Sequence, residues 1–247
     1  MTLPFNSLPR RAHIAVFGAS GGIGAAFVRN LSETRPDLTV HAISRSLIEA
    51  KGGVTPHTYS PTDETSIAKV AEALAPHPLH LTIVAIGTLH DGERQPEKAL
   101  RQWQMDAFLE TLRINAGVPT LIAKHLMPQL KAAKHRSVFA ALSARVGSIS
   151  DNRLGGWHSY RASKAALNQL TRNIAIELAQ RNKEGIAVTL HPGTVDTSLS
   201  APFQRGVPEG KLFTPDYSAS HLLHVIDRLQ PTDSGRCFDY AGKEISP

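Results

Sequence analysis

The stretch "HIAVFGASGGIGAAFV", residues 13–28, decides the fold. An apolar run, His13–Ala19, passes into a turn carrying Gly18, Gly22 and Gly24, and then into a helical pattern from Ile23 to Thr34. A run without polar alternation reads as a strand buried on both faces. Glycines let the backbone turn tightly and approach a ligand closely. The start of the following helix offers free N–H groups and the positive end of its dipole, a pairing that suits a phosphate. The spacing is G-x-x-x-G-x-G rather than G-x-G-x-x-G. Such glycines can also serve packing alone, but their place directly after the first strand favours the phosphate reading.

The same alternation continues along the chain. Leu38–Ser44, Leu79–Gly87, Ser137–Ser143 and Ile186–Gly193 read as further buried strands. Thr65–Ala75, Phe108–Lys131 and Tyr160–Gln180 carry helical patterns. Strand–helix alternation without repeats or linkers predicts one α/β domain, a doubly wound parallel sheet of Rossmann type with helices on both faces. Ligands of such sheets bind beyond the carboxyl ends of the strands. The 247-residue length and the balance of 41% hydrophobic to 19% charged residues fit one such domain. No apolar run reaches the roughly 20 residues of a membrane span, and the N-terminus lacks the order of a signal peptide. The single cysteine, Cys237, precludes an internal disulfide and fits a reducing cytoplasm. The net charge is +6, with basic residues scattered. That pattern points to solubility or an anionic small ligand rather than nucleic acid.

The second strand ends in "VHAISRS", residues 40–46. An acidic side chain at this place commonly holds the ribose 2′-hydroxyl of NAD. Ser44 and Arg45 stand there instead, and a guanidinium fork suits a 2′-phosphate, which favours NADP. Further on, "GGWHSYRASKAALNQLTRN" (residues 155–173) places Tyr160 and Lys164 one helical turn apart among small residues. Residues so spaced share a face. An ammonium beside a phenol is expected to lower its pKa from about 10 toward working pH, and a phenol tuned this way exchanges a proton with a carbonyl or alcohol oxygen.

With these motifs in view, the chain resembles the short-chain dehydrogenase/reductases nearly end to end. "GASGGIG" is similar to their dinucleotide turn, including Ser20 and Ile23, and "YRASK" to their catalytic Tyr-x-x-x-Lys. "RINAGVP" carries Asn115 where the family has a helix-kinking Asn that holds a proton-relay water. "HPGTVDTSL" resembles the family's Pro-Gly motif, with Pro192, Gly193, Val195 at the nicotinamide amide and Thr197 at the cofactor phosphates. "SARVGSISDNRLGGWHSYRASKAALN" looks most like the C-factor-like and small carbonyl-reductase branch. The resemblance implies a nicotinamide cofactor and a small carbonyl or alcohol substrate, with Tyr160 as acid/base, Lys164 on the nicotinamide ribose and Asn115 in the relay. It also implies a homo-oligomer, dimer or tetramer, although some carbonyl reductases are monomers.

The chain departs from the family at several points. Phe17 replaces a frequent Thr, "VAIG" ending at Gly87 replaces Asn-Asn-Ala-Gly, and Ser60 stands where an Asp often touches adenine. The branch usually has a Ser-Ser pair whose second member is catalytic. Here the pair is Ser143-Ala144, leaving Ser143 as the candidate partner of the substrate oxygen. The missing Ser keeps a second reading open, a regulatory protein that senses the cofactor with little turnover. Among the twelve histidines, His221 and His224 lie three apart without a third ligand, so no metal is expected. His77 and His80 read as solvated. The charged stretch from Leu89 to Asp106 reads as a solvated rim, and the Pro/Gly-rich segment 198–215 as a lid.

Overall fold

The computed structural model describes residues 5–90, 95–133 and 136–247. Part of the charged stretch, residues 91–94, and the first four residues of the N-terminus lie outside them. The first two strands and the helix between them follow the pattern read from the sequence: β1 (His13–Phe17), α1 (Gly22–Thr34) and β2 (Thr39–Ser44). The chain continues through β3 (Val54–Thr58), α2 (Glu64–Leu74), β4 (Leu79–Val84), α3 (Met105–Leu112), α4 (Val118–Ala132), β5 (Ser137–Leu142), α5 (His158–Ala179) and β6 (Gly185–His191). It closes with the short β7 (Thr194–Val195) and β8 (Leu212–Phe213), α6 (Pro215–Arg228), β9 (Cys237–Asp239) and β10 (Glu244–Ile245).

The main sheet runs β10-β9-β6-β5-β4-β1-β2-β3. Every neighbouring pair is parallel except β9 and β10. The order reverses between β1 and β4, the topological switch at which such sheets open a crevice. Each central strand is buried on both faces, which is why its sequence shows no alternation. In β5, Val138, Ala140 and Leu142 pack on the α1/α6 side, whereas Phe139 and Ala141 face α2, α4 and α5. β3 escaped the sequence reading because it is an edge strand, polar and carrying Pro56, which an edge tolerates. Two helices open on side-chain caps: Asp63 accepts from the Thr65 N–H, and Thr214 from the Tyr217 N–H ahead of Pro215.

The segment expected as one helix over Phe108–Lys131 is three pieces. α3 ends at Leu112, a π-helical turn spans Arg113–Gly117, and α4 follows. A π turn inserts an extra residue into the ladder and often marks a functional site.

The sheet face packed by α2 carries a row of imidazoles. His13 Nδ1 lies 3.2 Å from His41 Nε2, and His41 Nδ1 lies 3.1 Å from His57 Nε2. His77 stacks on His13 at 4.0 Å, and His80 Nδ1 accepts from the His13 N–H. His77 and His80 are therefore structural partners rather than merely solvated. His41 is only 7% exposed, and burial together with neighbouring imidazoles holds its pKa down at about 4. The folded state thus accepts the neutral ring, while the unfolded chain binds a proton near the usual 6.5. Stability is present above that value and is lost as pH falls from 6.5 toward 4, by at most about 3 kcal/mol from this group. Melting temperatures across this window should fall in wild type and fall less in His41→Leu; equal slopes would refute the assignment.

Candidate active site

Beyond the carboxyl ends of the strands lies a cleft of about 1000 Å³. Thirteen of the residues singled out in the sequence line it: Gly18, Ser20, Gly22, Ile23, Gly24, Ser44, Arg45, Gly87, Ser143, Tyr160, Lys164, Pro192 and Thr197. Asn115, Gly193 and Val195 do not line it. Asn115 is fully buried and Val195 is 3% exposed, paired through β7 with β8. Gly193 has φ +79, and a Cβ there would stand 2.6 Å from the Phe213 ring.

The first turn has little room for side chains. Gly18 has φ +82 and donates to the Ile43 carbonyl at 2.9 Å; a Cβ on it would lie 2.4 Å from the Ala85 carbonyl oxygen. A Cβ on Gly24 would lie 2.1 Å from the Gly18 carbonyl oxygen, and one on Gly22 would lie 2.8 Å from Thr197 Cγ2. α1 starts at an N-cap, Gly21, that makes no side-chain cap, and its first turn holds no acid. This helix start lines the cleft, and among the described residues no side chain caps it and no acid stands in its first turn. This arrangement fits the phosphates of a dinucleotide. Arg45 is exposed at the rim, while the hydroxyl of buried Ser44 donates back to the Ser46 carbonyl. Phe17, the departure before the first glycine, packs edge-to-face on Tyr59, another cleft residue, at 5.6 Å.

At the other end stand Tyr160 and Lys164, on one face of α5 as their spacing requires. Lys164 Nζ lies 5.7 Å from the Tyr160 ring centroid and donates to the Leu142 carbonyl at 2.8 Å. Burial pushes the phenol up to about 12 and the ammonium down to about 8. The expected lowering of the phenol by the ammonium is thus reversed. The cation stands over the ring, already committed to a carbonyl, and loss of hydration dominates both groups. Tyr160 is therefore protonated at neutral pH.

Asn115 ties this end together. Its Oδ1 accepts from the Thr88 N–H at 2.7 Å, and its Nδ2 donates to the Thr88 carbonyl at 2.9 Å and to Ser163 Oγ at 3.0 Å. Ser163 Oγ in turn donates to the Tyr160 carbonyl at 2.8 Å. Ser143 lines the cleft, and its hydroxyl donates to Asn168 Oδ1 on α5 at 2.8 Å. Ala144 does not line the cleft; it opens a short 3₁₀ turn, Arg145–Gly147. A Cβ on Gly147 would lie 2.9 Å from Lys164, so this turn packs directly on α5.

Several cleft residues were not legible in the sequence. Glu97, from the stretch read as a solvated rim, is 7% exposed and lines the cleft. His90 places Nε2 3.2 Å from the carbonyl oxygens of Ser198 and Leu199. No local motif announces either residue, because each finds its partner more than fifty positions away. Among the described residues, no three His, Cys, Asp or Glu side chains converge to hold a metal ion, and no helix is long and apolar enough to cross a membrane.

The family model "short chain dehydrogenase" matches residues 12–207. The chain belongs to the short-chain dehydrogenase family. Within it, the C-signal of Myxococcus xanthus is 40% identical over 135 residues, 55% of this chain and 75% of that protein. The 1-hydroxy-2-glutathionyl-2-methyl-3-butene dehydrogenase of Rhodococcus sp. is 29% identical over 90% of this chain and 94% of its own. The NADPH-bound carbonyl reductase from chicken fatty liver superposes with a TM-score of 0.83 at 26% identity, covering 97% of this chain and all of that one. The chain thus sits in the C-factor-like and carbonyl-reductase branch, and its family chemistry is oxidoreduction between carbonyl and alcohol.

The backbone contact between Gly24 and Gly18 yields a prediction. Neither partner is a flexible side chain, so Gly24→Ala must shift the turn, at a cost of about 2–3 kcal/mol. Gly21→Ala, whose Cβ would meet only the Gly18 carbonyl oxygen, at 3.3 Å, should be much milder. Thermal melts should show Gly24→Ala lower by roughly 5 °C or more, with Gly21→Ala close to wild type; the reverse order would refute the packing argument.

Proposed function

We propose that this protein is an NADP-dependent reductase of small carbonyl compounds, with Tyr160 as proton donor. The observation that carries this reading is the buried, protonated phenol at the cleft, with Lys164 and Asn115 around it and the open α1 N-terminus at the far end. The nicotinamide cofactor, when bound, supplies the hydride. Gly18, Ser20, Gly22, Ile23, Gly24 and Thr197 border its phosphates, and Arg45 receives the 2′-phosphate. Gly87 and Pro192 would border the nicotinamide end, whereas Gly193 and Val195, which the motif also suggests, stand behind the cleft wall and would act only by shaping it. Lys164 holds the nicotinamide ribose and keeps positive charge beside the site. As the carbonyl carbon takes the hydride, Tyr160 gives its proton to the oxygen, which becomes the alcohol. Asn115 orders the path by which that proton is replaced.

Ser143 is the hydroxyl proposed to meet the substrate oxygen. Its proton rests on Asn168, so it must turn from that partner to serve. The segment 198–215, with its 3₁₀ turn Ala201–Gly206, is read as the lid. The single cysteine supports a reducing compartment, the cytoplasm. The likeness to C-signal supports the competing reading, a cofactor-sensing protein with little turnover, and NADPH consumption with a panel of aldehydes and ketones separates the two.

Four outcomes are expected on a substrate found that way. Tyr160→Phe should abolish most turnover while leaving NADPH affinity near wild type. The reduction rate should fall as pH rises through about 8, where Lys164 loses its charge while Tyr160, at about 12, stays protonated. Arg45→Ala should narrow the preference for NADPH over NADH by about tenfold or more, the worth of a charged hydrogen bond. Ser143→Ala should lower turnover by roughly 10²-fold, as loss of one donor to an oxyanion does elsewhere, with Ala144→Ser nearly silent. A fully active Tyr160→Phe would overturn the mechanism, and equal NADPH and NADH dissociation constants in wild type would overturn the cofactor assignment.

A further inference from the structure

Helix α5 starts in an unusual way. Gly155, Gly156 and Trp157 all have positive φ, at 63°, 63° and 50°. Trp157 is the N-cap and makes no side-chain cap. A left-handed tryptophan persists only where its surroundings enforce it. Glu97 is that enforcement. Its backbone carbonyl accepts from the Trp157 N–H, one carboxylate oxygen accepts from the Ser159 N–H at 3.2 Å, and the other accepts from the Ser159 hydroxyl. A carboxylate at this end of a helix is favoured by the free N–H groups and the dipole. Glu97 is buried, and its carboxylate meets the N–H and the hydroxyl of Ser159 in the first turn of the helix.

The residue after Ser159 is Tyr160. We infer that Glu97 is a positioning residue for Tyr160, capping α5 from the segment between β4 and α3 and fixing where the phenol stands. The helix turn around Tyr160 is then held on two sides. On one, Asn115 donates to Ser163, which donates to the Tyr160 carbonyl; on the other, Glu97 grips Ser159 and Trp157. With Trp157 so held, its ring meets Tyr160 at 6.1 Å and Phe203, on the lid segment, at 5.2 Å. The inference rests on the oxidoreductase reading for its kinetic consequence, but not for the clamp itself.

The experiment therefore reads both. Hydrogen exchange of the amides between residues 157 and 164 needs no substrate; Glu97→Ala should speed it, and Glu97→Gln should largely restore wild-type protection, because a Gln oxygen still accepts from the Ser159 N–H. On a confirmed substrate, Glu97→Ala should lower kcat about tenfold to a hundredfold, with the KM for NADPH within about threefold of wild type, the signature of a displaced rather than missing catalytic group. Glu97→Gln should recover most of that loss. Ser159→Ala should be mild alone and add little on top of Glu97→Ala, since the two share one interaction. Unchanged exchange in Glu97→Ala would overturn the clamp. Faster exchange with unchanged kcat would overturn the positioning role. If wild type turned over no carbonyl substrate at all, the oxidoreductase reading would fail while the exchange result still judged the clamp.

Discussion

Asn115 makes three side-chain hydrogen bonds to two residues, and the cleft depends on them. Two of its bonds mimic a strand pairing with the backbone of Thr88, in the loop after β4. The third reaches Ser163 on α5. A buried primary amide left unpaired costs on the order of 1–3 kcal/mol per group, so the loop, the π turn and helix α5 are coupled at this point. The π turn serves this end. A regular helix through Arg113–Gly117 would turn the residues differently about the axis, and the extra residue of the wider turn sets Asn115 against both partners.

The charge states at one end of the cleft follow from the burial of Tyr160 and Lys164. Burial works against every charge, and its direction differs by group. It keeps the Tyr160 proton on and loosens the Lys164 proton. The proposed proton donation by Tyr160 draws on this pairing of a protonated phenol with a weakly held ammonium. Glu97, also buried, sets its carboxylate against the first turn of α5. The phosphate end is organised on the opposite principle. There, backbone N–H groups are left open by glycines that have no room for a side chain, and no acid competes for them. One end of the cleft thus suits a fixed anion, and the other a transient one.

The faces of the sheet divide the remaining work. Alternate residues of each central strand supply two separate apolar layers, so the strand ends are held from both sides and present their loops at fixed positions. The histidine row across β1, β2 and β3 replaces apolar packing at one place with mutually bonded neutral rings. Its consequence is for stability in acid.

The amino-acid sequence by itself determined the strand–helix alternation, the turn at Gly18–Gly24 and the Tyr160/Lys164 spacing, because each is a local pattern: a run of buried side chains, a backbone that must bend, two residues one turn apart. It also placed Asn115, Ser143, Pro192 and Thr197 at or beside the cleft through their motifs. The edge strand β3 stayed hidden because an edge needs no apolar run. Periodicity ran one helix through Arg113–Gly117, and only the resemblance, with its helix-kinking Asn at 115, pointed to the break there; the partners of Asn115, Thr88 and Ser163, come from distant residues. The direction of the Tyr160 pKa was misjudged for the same kind of reason. Spacing shows that an ammonium is near, but only the packed structure decides whether water is excluded and which atom the ammonium faces. Glu97 reads as one more charge on a solvated loop; the tertiary structure buried it against the first turn of α5, where unpaired N–H groups make a carboxylate more stable than it would be in isolation.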